Sequence, residues 1–198
     1  MGAPPGFRER QELMDGDRLA RTLARMAHEI LERHPDMSQV VLVGVRTRGV
    51  PLARRLARTI KKAAGLEPAV GALDITLYRD DLTTIAPHPV LKGTDIPTSI
   101  DGRTVILVDD VLYTGRTVRA ALDELIDFGR PARIRLAVVV DRGHRELPIR
   151  ADFVGRTLTT AREEVVQVMV REEDGEDRVV LLERLRQPKR KAPRKGGR

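Results

Sequence analysis

The 198-residue chain has no cysteine and no tryptophan, and only two tyrosines and three phenylalanines. Without cysteine there is no disulfide framework, no thiolate-ligated zinc or iron–sulfur site, and no cysteine nucleophile. So few rings exclude a broad aromatic platform for stacking single-stranded bases. Long apolar runs are missing too: stretches such as Ala137–Val140 fall far short of the roughly 20 residues that span a bilayer. The opening residues, MGAPPGFRER, carry no apolar signal-peptide core. The expectation is a soluble, cytoplasmic protein with no membrane partner and one domain large enough to bury a core.

What the chain has is charge, and it is uneven. Lys and Arg number 36 against 29 Asp and Glu, a net charge of +7. The last twelve residues, QPKRKAPRKGGR, hold six basic residues and no acid, so residues 1–186 are close to neutral. Within them, Val40–Leu66 carries seven basic residues and no acid, while Thr157–Arg186 carries five basic and eight acidic residues. The sequence therefore divides into a loose arm (1–16), a domain (17–186) with an internal positive zone, and a basic tail (187–198) that reads as disordered.

Hydrophobic periodicity supplies the elements. Asp17 is placed to cap a helix running to about His34, with Leu19, Leu23, Met26, Ala27, Ile30 and Leu31 at helical spacing. Val40–Val45 reads as a buried parallel strand, and a helix follows from Gly49 to about Ala64, ended by Gly65. Val70–Leu77, Thr104–Val108 and Ile134–Val140 read as strands, with a helix over Thr117–Phe128. Val165–Val170 and Val179–Leu182 read as two strands joined by a hairpin turn at Gly175. Arg79–Thr98, with three prolines and no period, reads as a flexible arm. The order predicts an α/β fold, a mostly parallel sheet flanked by helices, with ligands beyond the carboxyl ends of its strands.

The densest chemistry is in Val105–Thr117, VILVDDVLYTGRT. An apolar strand ends in Asp109 and Asp110, and Tyr113, Thr114, Gly115, Arg116 and Thr117 lead into a helix. A helix N-terminus presents unpaired N–H groups and positive dipole, which suits a phosphate. The carboxylates suit hydroxyls, a divalent cation, or both. A sugar phosphate satisfies both halves. Neither a GxxxxGK[ST] loop nor a GxGxxG run is present.

This stretch resembles the phosphoribosyl-pyrophosphate (PRPP) motif of the type I phosphoribosyltransferases. Together with DITLYRDDL at 74–82, VDDVLYTGRTVRAALDEL at 108–125 and VVDRGHRELPIRADFVG at 139–155, it more narrowly resembles the bifunctional pyrimidine operon regulators. The resemblance covers about Asp17–Leu182 and implies the type I phosphoribosyltransferase fold. It implies a uracil phosphoribosyltransferase that converts uracil and PRPP to UMP and pyrophosphate with Mg²⁺. Asp109 and Asp110 are then the catalytic carboxylates on the ribose hydroxyls, and the Mg²⁺ candidates, with few direct protein ligands to the ion. Tyr113–Thr117 takes the 5′-phosphate. Arg46, Thr47, Arg48 and Gly49 take the pyrophosphate, as does Arg79 on the arm, with Asp80 and Asp81 equally well read as exposed turn carboxylates. The base lies by Val140, Asp141 and Arg142.

The same resemblance implies binding of pyrimidine-operon leader mRNA, favoured by UMP or UTP, and a homodimer or higher homo-oligomer. Its RNA contacts map to His28, Arg145 and Arg150, although Ala24 stands where relatives can carry a threonine. The basic tail adds salt-sensitive RNA affinity or only solvates the chain. A purine-type phosphoribosyltransferase without RNA regulation is the alternative reading.

Overall fold

The computed structural model describes residues 4–75 and 93–185. Strand β1 (Phe7–Met14) leads into helix α1 (Gly16–Arg33), a 3₁₀ turn (Met37–Gln39), strand β2 (Val40–Val45), helix α2 (Gly49–Ala64) and strand β3 (Ala69–Leu73). Strand β4 (Thr104–Leu112), helix α3 (Arg116–Phe128), and strands β5 (Arg133–Asp141) and β6 (Phe153–Thr157) come next. Strand β7 (Val165–Met169), the single-turn helix α4 (Arg171–Asp174) and strand β8 (Arg178–Arg184) complete the described chain.

Strands β3-β2-β4-β5-β6 form one all-parallel sheet. All six residues of β2 are buried, as its unbroken apolar run requires of a strand covered on both faces. Side-chain alternation divides the core in two. Val40, Leu42, Ile106 and Ala137 pack with α1 and α2. Val41, Val43, Val45, Val105, Leu107 and Val138 pack with α3. Helix α1 is capped by Asp15, whose carboxylate accepts from the Arg18 amide at 2.7 Å, and Asp17 lies in its first turn. Gly65 ends α2 in the left-handed conformation expected of it.

Three departures from the sequence reading matter. Strands β7 and β8 do not join the parallel sheet; with β1 they form a separate antiparallel sheet in the order β1-β8-β7. Residues 7–14 are thus an edge strand rather than a loose arm. Its residues 8–12 are exposed, and only Leu13 and Met14 are buried, so it shows no strong period. It pairs along its backbone with β8, and ion pairs flank the ladder: Arg8 bonds Glu183 at 2.7 Å, Arg10 bonds Glu164, and Arg178 meets Glu9 and Glu12. Second, the β7–β8 connection is a turn of helix closed by Gly175 at φ 82°, not a simple hairpin turn. Third, the sequence pattern gives no sign of β6. It is a short edge strand held by Phe153, which is fully buried, with the His34 ring edge-on at 6.3 Å and the Arg33 guanidinium 5.1 Å from its ring centre.

Phe153→Ala is expected to cost about 3–5 kcal/mol through the cavity it leaves. The shift in urea midpoint, at unchanged slope, measures it.

Candidate phosphoribosyl site at the strand ends

The carboxyl ends of β2, β4 and β5 lie on one edge of the parallel sheet, where such sheets bind ligands. From β2 the chain turns through Arg46–Arg48 into α2. Gly49 is required there, because a Cβ would fall 2.3 Å from the Val108 carbonyl oxygen of β4. This contact seats the basic loop against the strand carrying Asp109 and Asp110. The Arg46–Thr47 peptide is cis. The Arg46 amide donates to the Leu73 carbonyl at 2.9 Å, and its Nε to the Gly93 carbonyl at 3.0 Å. Asp74 and residues 93–95 are stitched together by the Asp74 amide on Thr94 Oγ1 (3.1 Å) and the Ala72–Asp95 bridge. The two flanks of residues 76–92 therefore meet beside Arg46. Arg79 lies outside the described residues, as does most of the predicted arm.

Strand β4 does not stop at Val108. It runs through both carboxylates to Leu112, paired with β5 as far as Asp141. Asp109 is buried and its Oδ1 accepts from the Asp110 amide at 2.9 Å; the half-buried Asp110 accepts from the Val111 amide at 2.8 Å. Gly115, at φ 95°, is the N-cap of α3 and has no side chain to cap it; Thr114 Oγ1 accepts from the Arg116 amide at 3.4 Å, and the amides that follow are backbone donors at the helix start. Among the described residues, no group of three or more acidic, His or Cys side chains is arranged to hold a metal. The paired carboxylates nevertheless offer hard oxygen donors of the kind Mg²⁺ takes alongside water and substrate oxygens.

The predicted base-side residues prove to be structural on their side chains. Val140 is fully buried. The Asp141 carboxylate accepts from the Gly143 amide at 3.0 Å and from the Arg145 guanidinium. Arg142 is buried, with its Nε on Thr160 Oγ1 at 3.1 Å, an Nη on the Ala161 carbonyl at 2.9 Å, and its guanidinium 4.1 Å from the Tyr113 ring centre. Burial lowers its pKa from the usual arginine value, while Tyr113 and Glu164 oppose that shift. Of the residues assigned to RNA, His28 is exposed on α1 and Arg150 is exposed at the end of the loop after β5. Arg145 is different: its Nε, Nη1 and Nη2 atoms all bond within the protein.

Sequence reasoning missed the acidic side of the site. Arg48 is not an open phosphate donor; it forks onto Asp174 at 2.9 and 2.6 Å. Arg55, which by spacing belongs to a solvated helix face, is only 18% exposed and bonds Glu172 and Asp177. The basic run of α2 is thus matched by the acidic stretch around α4. The opposite charge excesses of the two segments were the available signal. The Arg48 hydrogen bond holds the Asp174 carboxyl below its usual range, and the Arg55 bond does the same to Glu172, burial opposing both.

The family model described as phosphoribosyl transferase domain matches residues 9–173. A protein named Bifunctional protein PyrR from Elusimicrobium minutum is 61% identical over 170 residues, which are 86% of this chain and 95% of that one. Its namesake from Thermus thermophilus is 60% identical over 178 residues, 90% and 98% of the two chains. The chain belongs to the PyrR family. Among solved structures, a Trypanosoma cruzi hypoxanthine phosphoribosyl transferase superposes with a TM-score of 0.68 at 18% identity, covering 88% of this chain and 91% of that one. At that identity the likeness speaks for the fold alone, and it is the type I phosphoribosyltransferase fold that the PyrR-family sequence predicts. No helix among the described residues is long and apolar enough to cross a membrane.

Carboxylates whose folded pKa is depressed stabilise the fold above about pH 4, and the contribution is lost as pH falls through the folded value. Asp174→Asn is therefore expected to cost about 1–3 kcal/mol at neutral pH. The difference from wild type should shrink below about pH 4; denaturant midpoints across pH 3–7 check both.

Proposed function

We propose that this PyrR-family chain transfers the ribose 5-phosphate of PRPP to uracil, releasing UMP and pyrophosphate. With uracil nucleotide bound, it also binds the leader mRNA of pyrimidine biosynthesis genes and lowers their expression. A homodimer or higher homo-oligomer is the state the resemblance implies. One observation carries the enzymatic reading. A carboxylate pair, a helix start opened by Gly115 and a basic loop seated on the Val108 carbonyl share one sheet edge.

The chemistry is displacement at the anomeric carbon, with a cationic, oxocarbenium-like transition state and an anionic leaving group. Asp109, buried and anchored by the following amide, and the more open Asp110 orient the ribose hydroxyls. Asp110 also faces the developing positive charge. Backbone N–H groups at the start of α3, with Thr114 and Thr117, receive the 5′-phosphate. The loop Arg46–Gly49 and Arg79 receive the pyrophosphate. Arg48 enters that site already paired with Asp174, so Arg46 and the loop backbone are its freer donors. Asp109 and Asp110 would hold Mg²⁺, which would supply neutralisation of the pyrophosphate charge. The uracil lies by Val140–Arg142, whose side chains are themselves occupied or buried.

Asp110→Asn is expected to lower kcat by about 10²-fold or more with a small change in KM for PRPP. UMP formation from uracil and PRPP measures it, and equal rates for mutant and wild type would remove the enzymatic reading. Hypoxanthine turning over in place of uracil would move the base assignment to purines.

For the regulator, exposed His28 and Arg150 are the RNA contacts, with the domain's other arginines contributing electrostatics. UMP is expected to tighten binding of a pyrimidine-operon leader stem-loop. Titration with and without UMP tests this, and an affinity indifferent to nucleotide would sink it. Loss of RNA binding only on deletion of residues 187–198 would instead place the RNA site on the tail.

A further inference from the structure

We infer that Asp174 is a positioning residue for the pyrophosphate: acting through Arg48, it holds the loop Arg46–Gly49 in the form that receives that group. The inference rests on the reading that this loop takes the pyrophosphate, and deepens it. Arg48 stands at the start of α2 as its N-cap, and no side chain caps that helix end. Elsewhere the loop is held by backbone contacts: Gly49 lies against the Val108 carbonyl, and the Arg46 amide donates to the Leu73 carbonyl at 2.9 Å. Asp174 supplies the contact from the side of the antiparallel sheet. Its Oδ2 accepts from Arg48 Nε at 2.9 Å and its Oδ1 from Nη2 at 2.6 Å. That fork uses one edge of the guanidinium, and among the described residues Nη1 donates to no protein acceptor. The Asp174 hydrogen bond raises the Arg48 pKa above the usual arginine value, burial opposes it, and the charges of Asp174 and then Asp110 add to the rise. Arg48 therefore feels both the α4 carboxylate and one of the strand-end pair, with a donor edge left over.

The acceptor is itself held. Asp174 Oδ2 also takes the Val170 amide at 2.9 Å, and the Asp174 amide donates to the Val170 carbonyl at 2.8 Å. Its side chain is 9% exposed. Gly175 closes the turn at φ 82°, and Arg55 clasps the flanking Glu172 and Asp177. A carboxylate beside an anion site is adverse on charge alone, because like charges repel. What Asp174 supplies is geometry. A long arginine stem loses rotamer freedom when it is fixed, and a fork already closed on Asp174 takes that loss on folding instead of on binding. Pre-formed donors then meet the pyrophosphate without rearrangement. UMP carries no pyrophosphate, so its affinity does not depend on this contact. Glu172, which pairs with α2 through Arg55 and not with the loop, is a control in the same turn.

The test uses the full chain with Mg²⁺ present. Calorimetry gives PRPP and UMP affinities directly, and UMP formation gives KM for PRPP and kcat. Asp174→Asn is expected to weaken PRPP by about tenfold, with kcat and UMP affinity within about twofold of wild type. Glu172→Gln should leave PRPP affinity unchanged. In an Arg48→Gln background, Asp174→Asn should add less than about twofold, because it acts through Arg48. Wild-type PRPP affinity in Asp174→Asn overturns the inference. So does an equal loss for UMP, or a matching loss in Glu172→Gln, either of which marks a general effect on the fold. Tighter PRPP binding overturns it as well, since Asp174 would then only compete for Arg48, and independent effects of the two substitutions do the same. If Asp174→Asn does not fold, Asp174→Glu decides: it keeps the charge but its extra methylene shifts the fork, and wild-type PRPP affinity there overturns the inference. Full PRPP affinity in Arg48→Gln would fell the pyrophosphate reading of Arg48 and the inference with it. A loss in Arg48→Gln but not in Asp174→Asn fells the inference alone.

Discussion

The parallel register that sets Gly44 beside Val108, and Val108 beside Ala137, is the constraint on which the site depends. Parallel strands all run the same way, so their carboxyl ends must emerge on one edge. With β2, β4 and β5 in step, the basic loop, the carboxylate pair and the loop after β5 arrive at the same level. The strands are buried on both faces, which makes this arrangement rigid. The candidate site is made of the residues at and just beyond each strand end. Glycine at position 49 is what lets the first of these loops close onto β4.

A second layer of order comes from charge. The arginine-rich α2 and the acid-rich segment around α4 lie far apart in sequence, yet they form one set of ion pairs through Arg48, Arg55, Asp174, Glu172 and Asp177. These pairs tie the β7–β8 connection to the loop after β2 and to α2. Partly buried carboxylates held by forked arginines are worth more than surface pairs because less water competes for them. The net charge of +7 is therefore a poor guide to where an anion binds. Much of the positive zone is already answered by the protein's own acids.

The elements legible in the sequence were those whose side chains are sorted by burial. Strand β2, helix α2 and helix α3 have apolar periods that match their environments closely. Strands β1 and β6 were hidden because edge strands bury little. Their existence depends on partners: β8, at the far end of the described chain from β1, and β5, whose register β6 continues. The carboxylates Asp109 and Asp110 stood out as candidates because two adjacent acids at the end of an apolar strand are out of keeping with it. That β4 continues through them to Leu112 was not legible, since the pairing with Asp141 extends the strand beyond its apolar stretch.

Sequence alone determined the α/β class, the family, and the stretches that supply carboxylates, hydroxyls and positive charge. These depend on residue type and local spacing, which the chain carries wherever it goes. Only the tertiary structure decided which arginines are open to a ligand. Arg46, Arg48, Arg142 and Arg145 look alike in sequence. Arg48 meets Asp174, Arg142 meets Thr160 and the Tyr113 ring, Arg145 meets backbone carbonyls, and Arg46 stands at the loop with one backbone bond from its side chain. A guanidinium has the same donors everywhere, so its role is set by the acceptors the fold brings to it, and those come from distant parts of the chain.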